Sequence, residues 1–229
     1  DAVARYQDFA PYKILVVPAL AATDDELTDK LVAYVEQGGT LVWHPLSGIK
    51  DTEAKIYTDR VHPKLKPLLG VDITEFATLG EDETVPFTWQ HKTYQGRLFC
   101  DLPALEGAGA WGTYGERWFA GTPAVVRHDR GSGSVVYVTT FAGADFYHDL
   151  FEYMLHDLEV PVILETTLPD AVEITERRDD EGNRFIFLMN STPTAQHIHL
   201  PEPMYDVYHE EELEGRIVLA AWGVRVLKA

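Results

Sequence analysis

Cysteine is nearly absent: Cys100 is the single one among 229 residues. That excludes an internal disulfide and a zinc site built from cysteine alone. Basic residues are scarce, 19 against 37 acidic ones, for a formal charge of −18. Nucleic acids and anionic membranes are bound by basic surfaces, so neither is expected as a partner. No apolar run reaches the ~18 residues that a membrane-spanning helix needs. No signal peptide precedes the first strand pattern, so a cytoplasmic location is expected. Position 1 is Asp1 rather than methionine, as in a piece of a longer polypeptide. What is present is ordinary. Hydrophobic residues make up 45% and charged residues 24%, which suits a folded globular chain and argues against disorder. At about 150 residues per domain the length fits one large domain or two unequal ones.

The opening pattern is a βαβ unit. Lys13-Ile14-Leu15-Val16-Val17 is a continuous apolar run, expected of a strand buried on both faces. Thr23 with Glu26 three residues on reads as a capping box. Leu27, Leu31, Tyr34 and Val35 then recur at helical spacing, and Gly38-Gly39 closes the helix. Thr40-Leu41-Val42-Trp43 follows as a second strand, parallel to the first. Residues 45–60 read as a polar loop and residues 63–69 as a short helix ended by Gly70. Residues 71–76, 85–89 and 93–99 read as β segments. Residues 107–121, rich in glycine and aromatics, show no clean period and are expected to form an irregular ordered loop. Two further strands flank Asp129-Arg130-Gly131-Ser132-Gly133, a hairpin signal, and a helix follows over residues 144–158. The chain then changes character. Six short strand patterns separated by turn residues fill its last part, as in a small antiparallel sandwich or barrel.

Few residues carry a chemical signature. An amidotransferase-like nucleophile would sit on a strained strand-to-helix elbow among small residues. Cys100 instead lies in Leu98-Phe99-Cys100-Asp101-Leu102-Pro103, without flanking glycines, and reads as structural. Gly131-Ser132-Gly133 is followed by a strand rather than a helix, so it lacks the free amides of a phosphate cradle. His148 and His156 share a helix face at about 12 Å, too far for one metal ion. His197 and His199 share a strand face without an evident third ligand. Glu210-Glu211-Glu212 reads as a solvated acidic turn. No cofactor or metal is expected. Carboxylates abound, but no motif singles out a glycosidase pair. Trp111, Tyr114, Trp118 and Phe119 are candidates for core, subunit interface or a sugar-stacking platform.

Several segments taken together resemble the C-terminal half of β-galactosidases of glycoside hydrolase family 42. Tyr12-Lys13-Ile14-Leu15-Val16-Val17-Pro18-Ala19-Leu20 is similar to the opening strand of that family's trimerisation domain. Tyr34-Val35-Glu36-Gln37-Gly38-Gly39-Thr40-Leu41-Val42, Ser47-Gly48-Ile49-Lys50-Asp51 and Leu68-Leu69-Gly70-Val71 follow in the family's order. Ala120-Gly121-Thr122-Pro123-Ala124-Val125, continuing to Gly131-Ser132-Gly133 and Tyr137-Val138, is the most specific stretch. Phe185-Ile186-Phe187-Leu188-Met189-Asn190 and Gly223-Val224-Arg225-Val226-Leu227 resemble its small C-terminal β domain.

The resemblance implies a fold and a role. Residues 1–163 would form an α/β trimerisation domain, an amidotransferase-like (flavodoxin-like), mostly parallel sheet with helices. Residues 164–229 would form a small all-β antiparallel sandwich domain. The family's catalytic glutamates lie in an N-terminal (β/α)₈ barrel of about 250 residues, so no catalytic residue is carried onto this chain. Its partners would be itself, as a homotrimer, and that barrel. A galactoside substrate would be met only through the parent enzyme. The competing readings are a free-standing amidotransferase-like hydrolase, which needs Cys100 in a cleft beside a histidine, and a carbohydrate-binding module using surface tryptophans.

Overall fold

The structure, a computed structural model, describes residues 8–228. The chain divides into two compact units that part between Leu158 and Glu159.

The first unit opens with β1 (Ile14–Val17), α1 (Asp25–Glu36) and β2 (Thr40–Trp43). The β1 and β2 strands run parallel, Ile14 beside Thr40, because a helical crossover returns the chain to the same end of the sheet. Next come α2 (Leu65–Leu69), β3 (Val71–Thr78), β4 (Thr84–Trp89), β5 (Lys92–Leu105) and β6 (Gly109–Tyr114). The unit closes with β7 (Pro123–Arg130), β8 (Gly133–Val138), β9 (Thr140–Ala142) and α3 (Ala144–Asp157). The sheet has nine strands in the order β1-β2-β8-β7-β6-β4-β5-β3, with β9 paired to β5.

Four expectations need correction here. The sheet is mixed rather than mostly parallel: β1, β2 and β8 are parallel, while the pairings among β3 to β9 are antiparallel. Tight connections such as Gln90-His91, both at positive φ, can join only antiparallel neighbours, and no helix intervenes between β3 and β9 to carry a crossover. The strand β1 lies at the sheet edge, so Val16 is exposed instead of buried on both faces. The cap of α1 is Asp24, whose carboxylate accepts from the Leu27 amide at 2.8 Å. Thr23 is buried with its hydroxyl unpartnered. Finally, the stretch expected as an irregular loop contains β6, a strand inside the sheet. Its small residues suit that place: a Cβ on Gly112 would stand 2.7 Å from the Thr88 carbonyl.

Helices cover both faces of this sheet, and strand alternation separates two cores. Leu41, Trp43, Val135 and Tyr137 join Leu31, Tyr34 and Leu65 on the α1 side. Val42, Val136 and Val138 face the other way, with Phe146, Leu150 and Met154 of α3. Of the apolar spacing read along α1, Leu31, Tyr34 and Val35 are buried and Leu27 packs half-buried against the same core. The short helix α2 ends as expected, with Gly70 in the left-handed region at φ 66°.

The second unit holds β10 (Val172–Arg178), β11 (Arg184–Asn190), β12 (Gln196–His199) and β13 (Met204–Asp206). It ends with β14 (Glu211–Leu213), β15 (Arg216–Leu219) and β16 (Val224–Lys228). They form an antiparallel sheet β10-β11-β16-β13-β14 and a two-stranded ribbon β12-β15. One apolar core joins both, with Ile186, Leu188 and Leu227 against Ile198, Ile217 and Leu219. Glu211 and Glu212, expected in a solvated turn, belong to β14 and pair with Asp206 and Tyr205. Arg225 donates to both Glu211 and the fully buried Asp206, while Glu210 lies in the preceding turn and all three glutamates remain exposed.

Candidate functional site

The four aromatic candidates are not one platform. Tyr114, at the end of β6, is buried, and its hydroxyl lies 2.8 Å from Thr139 Oγ1. Phe119 is buried edge-on against it, ring centroids 5.1 Å apart. Trp111 is half-buried between Trp89 and Tyr153, at 5.5 and 5.3 Å, with the Arg127 guanidinium 5.4 Å from its ring. Trp118 alone stands out, 70% exposed.

The loop after β6 explains that exposure. Its ends are tied: Tyr114 donates to the Thr122 carbonyl at 3.0 Å, and Gly121 donates back to Tyr114 at 2.8 Å. Thr122 Oγ1 donates to the Phe119 carbonyl at 2.7 Å. Phe119 anchors the loop inward, which leaves its neighbour Trp118 outward with the rings perpendicular at 5.3 Å. Arg117, at φ 70°, turns the chain there and reaches Glu83 at 3.5 Å. A tryptophan held out by a pinned loop loses little freedom on docking, the property of an interface anchor.

Cys100 lies inside β5, fully buried, with its Sγ 3.5 Å from Thr140 Oγ1. Burial pushes the thiol pKa up, away from the thiolate a nucleophile needs. It is not on a strand-to-helix elbow. Gly131-Ser132-Gly133 forms the β7–β8 hairpin. Within α3, His148, Asp149 and Glu152 bring ligand-type atoms within 4.8 Å of one another. Asp149, however, is already bound by Lys92 and accepts from Tyr94 Oη at 2.7 Å, which hold its pKa down to about 2. His197 and His199 lie on the exposed face of β12.

A polar group that no local sequence signal marks sits beside Cys100. Asp101 is 4% exposed and accepts a 2.5 Å hydrogen bond from Tyr137 Oη, 36 residues away in sequence. Arg60 reaches its other oxygen at 3.9 Å while lying 4.0 Å from the Phe76 ring centroid. Burial lifts the Asp101 pKa to about 6, against the opposing pull of Tyr137 and Arg60. A carboxyl raised in the fold binds its proton more tightly than in the unfolded chain. Its contribution to stability is therefore full at low pH and is lost as pH rises towards 6. The elevation corresponds to about 3 kcal/mol. Asp101→Asn keeps an acceptor for Tyr137 but forgoes the attraction to Arg60. It should be more stable than the parent by about 2 kcal/mol above pH 6, with the advantage vanishing near pH 4. Urea midpoints of both proteins across that range measure it, and parallel pH profiles would refute it.

Two family models match in succession: a β-galactosidase trimerisation domain over residues 1–161 and a β-galactosidase C-terminal domain over residues 171–229. The β-galactosidase GanA of Bacillus subtilis is 27% identical over 227 residues, which is 99% of this chain and 34% of that protein. BglY of Alicyclobacillus acidocaldarius is 32% identical over 236 residues, 100% of this chain and 34% of that protein. Among solved structures, a catalytic mutant of Gan42B, a GH42 β-galactosidase from G. stearothermophilus, superposes with a TM-score of 0.90 at 28% identity, over 96% of this chain and 32% of that one. The chain thus spans about a third of the length of the curated relatives it matches. Both units match in the order the family has them, and the chain belongs to the glycoside hydrolase family 42 β-galactosidases, of which it is the trimerisation and C-terminal region.

Proposed function

We propose that this chain is a non-catalytic assembly region that brings three copies together through its first unit. In this reading the parent enzyme hydrolyses terminal β-D-galactosides in a barrel that this chain does not contain. The observation that carries the reading is the match of residues 1–161 to a trimerisation domain. Trp118 supports it, as a rigidly presented and exposed aromatic on that unit. The amidotransferase-like character of the first unit is part of the same reading, supported by the parallel β1-β2-β8 core with helices on both faces. So is a cytoplasmic location, with which the single buried thiol accords.

Light scattering on the chain tests it. The expected mass is three times 25.8 kDa, and Trp118→Asp should lower it while leaving the circular dichroism unchanged. A parent chain that stays monomeric at every concentration would remove the claim that these units suffice for assembly. The exposure of Trp118 also favours a second reading, a sugar-binding surface. Titration with galactose and galactan oligosaccharides would quench or shift its fluorescence, and a flat titration dismisses that reading.

A further inference from the structure

An antiparallel sheet with one face on a core normally turns polar side chains outward. The five-stranded sheet of the second unit does not. Residues directly opposite in an antiparallel ladder point to the same side, so the register defines the outer face row by row. The first row is Arg177, Phe185, Lys228, Tyr205 and Glu212. The second is Thr175, Phe187 and Val226, and the third is Glu173, Met189 and Val224. The Lys228 ammonium 5.8 Å from the Phe185 ring agrees with that placement. The alternate residues, Ile186, Leu188 and Leu227, form the core. The sheet is thus apolar on both sides. Tyr205 and Val224 remain 42% and 48% exposed, and none of the six outer apolar residues belongs to a core cluster of the described residues.

The charges on this face identify what fits it. Along β10, Arg177 stands at one end and Glu173 at the other; Lys228 shares the row of Arg177, and Glu212 closes that row at the far edge on β14. A two-fold axis between two copies, running across the strands, would lay the first row of one against the third row of the other. Glu173 of each copy then meets Arg177 of its mate, and Phe187 and Val226 meet their own equivalents at the centre. This is the self-complementary pattern of an isologous contact, in the geometry by which aligned sheets pack about 10 Å apart. A net charge of −18 repels a second copy at long range, so a patch that alternates in sign is what a homotypic contact requires. Five strands about 4.8 Å apart, of seven, seven, five, three and three residues, give roughly 400 Å² of sheet plane. That is about half the area per partner of a standard interface, so the association should be weak.

We propose that the outer face of this sheet is a homotypic docking surface that pairs two copies of the chain, independently of assembly through the first unit. Sedimentation equilibrium of the full chain over a wide concentration range tests it. The mass should double with concentration, from one copy to two or, where the first unit trimerises, from three to six. Phe187→Glu should abolish the doubling without altering the starting mass. Glu173→Lys should raise the dissociation constant about tenfold, and adding Arg177→Glu should restore the affinity because the pair is only reversed. The charge variants lie on exposed sites and keep the test valid if Phe187→Glu fails to fold. A mass that never doubles, or a doubling that none of these variants changes, overturns the proposal. Loss of the trimer alone bears on the first unit and leaves this face unaffected.

Discussion

Phe146→Ala should destabilise the first unit by about 4 kcal/mol. Phe146 is fully buried at the start of α3, and its ring meets Phe87 and Tyr94 at 5.1 Å, Trp89 at 5.7 Å and Tyr147 at 5.4 Å. Four edge-on aromatic contacts close around one ring, and rigid rings cannot flow into the space that truncation leaves. The cost is therefore the transfer of the ring plus most of its cavity. Urea unfolding followed by tryptophan fluorescence isolates the effect, because Trp43, Trp89, Trp111 and Trp118 lie in the first unit and Trp222 in the second. Comparison at one protein concentration keeps any assembly constant. A loss below about 1 kcal/mol would show that the cluster repacks.

Gly133→Ala should cost about 3 kcal/mol, through overpacking. A Cβ there would stand 2.3 Å from both the Gly39 and Val35 carbonyl oxygens. These belong to backbone at the end of α1 and cannot swing aside as a side chain could. The same junction is bonded by Ser134 to the Gly39 carbonyl at 3.2 Å and by Ser132 to the Glu36 carbonyl at 3.1 Å. Gly182 provides the contrast. It lies at φ 85° with nothing within 4 Å of an added Cβ, so Gly182→Ala should cost only the ~1 kcal/mol of a left-handed alanine. Equal losses from the two substitutions would mean that the α1 end moves away freely.

That junction also marks a limit of reading along a chain. Gly38-Gly39 is legible as a helix end and Gly131-Ser132-Gly133 as a hairpin, each from its own neighbours. Nothing local says that the two touch. The aromatic stretch behaves likewise. Glycine in place of β-branched residues hides β6, because its place in the sheet comes from partners on β4 and β7. Which of Trp111, Tyr114, Trp118 and Phe119 is exposed depends on where the loop ends are tied. The Asp101–Tyr137–Arg60 group joins three separate segments, and its carboxyl shares no motif with either partner.

The sequence by itself determined the βαβ opening, the terminal hairpin and helix of the first unit, the change to short strands in the second, and the family. Those rest on period, turn residues and ordered local similarity, which neighbours along the chain specify. Only the tertiary structure decided the direction of most strands, the edge position of β1, the burial of Cys100 and Asp101, and the apolar outer face of the second sheet. Strand direction is set by how each connection returns the chain, and burial by what finally packs above a residue. A strand pattern with apolar residues on both sides says that both faces seek cover, but only the assembled sheet reveals which face has found it.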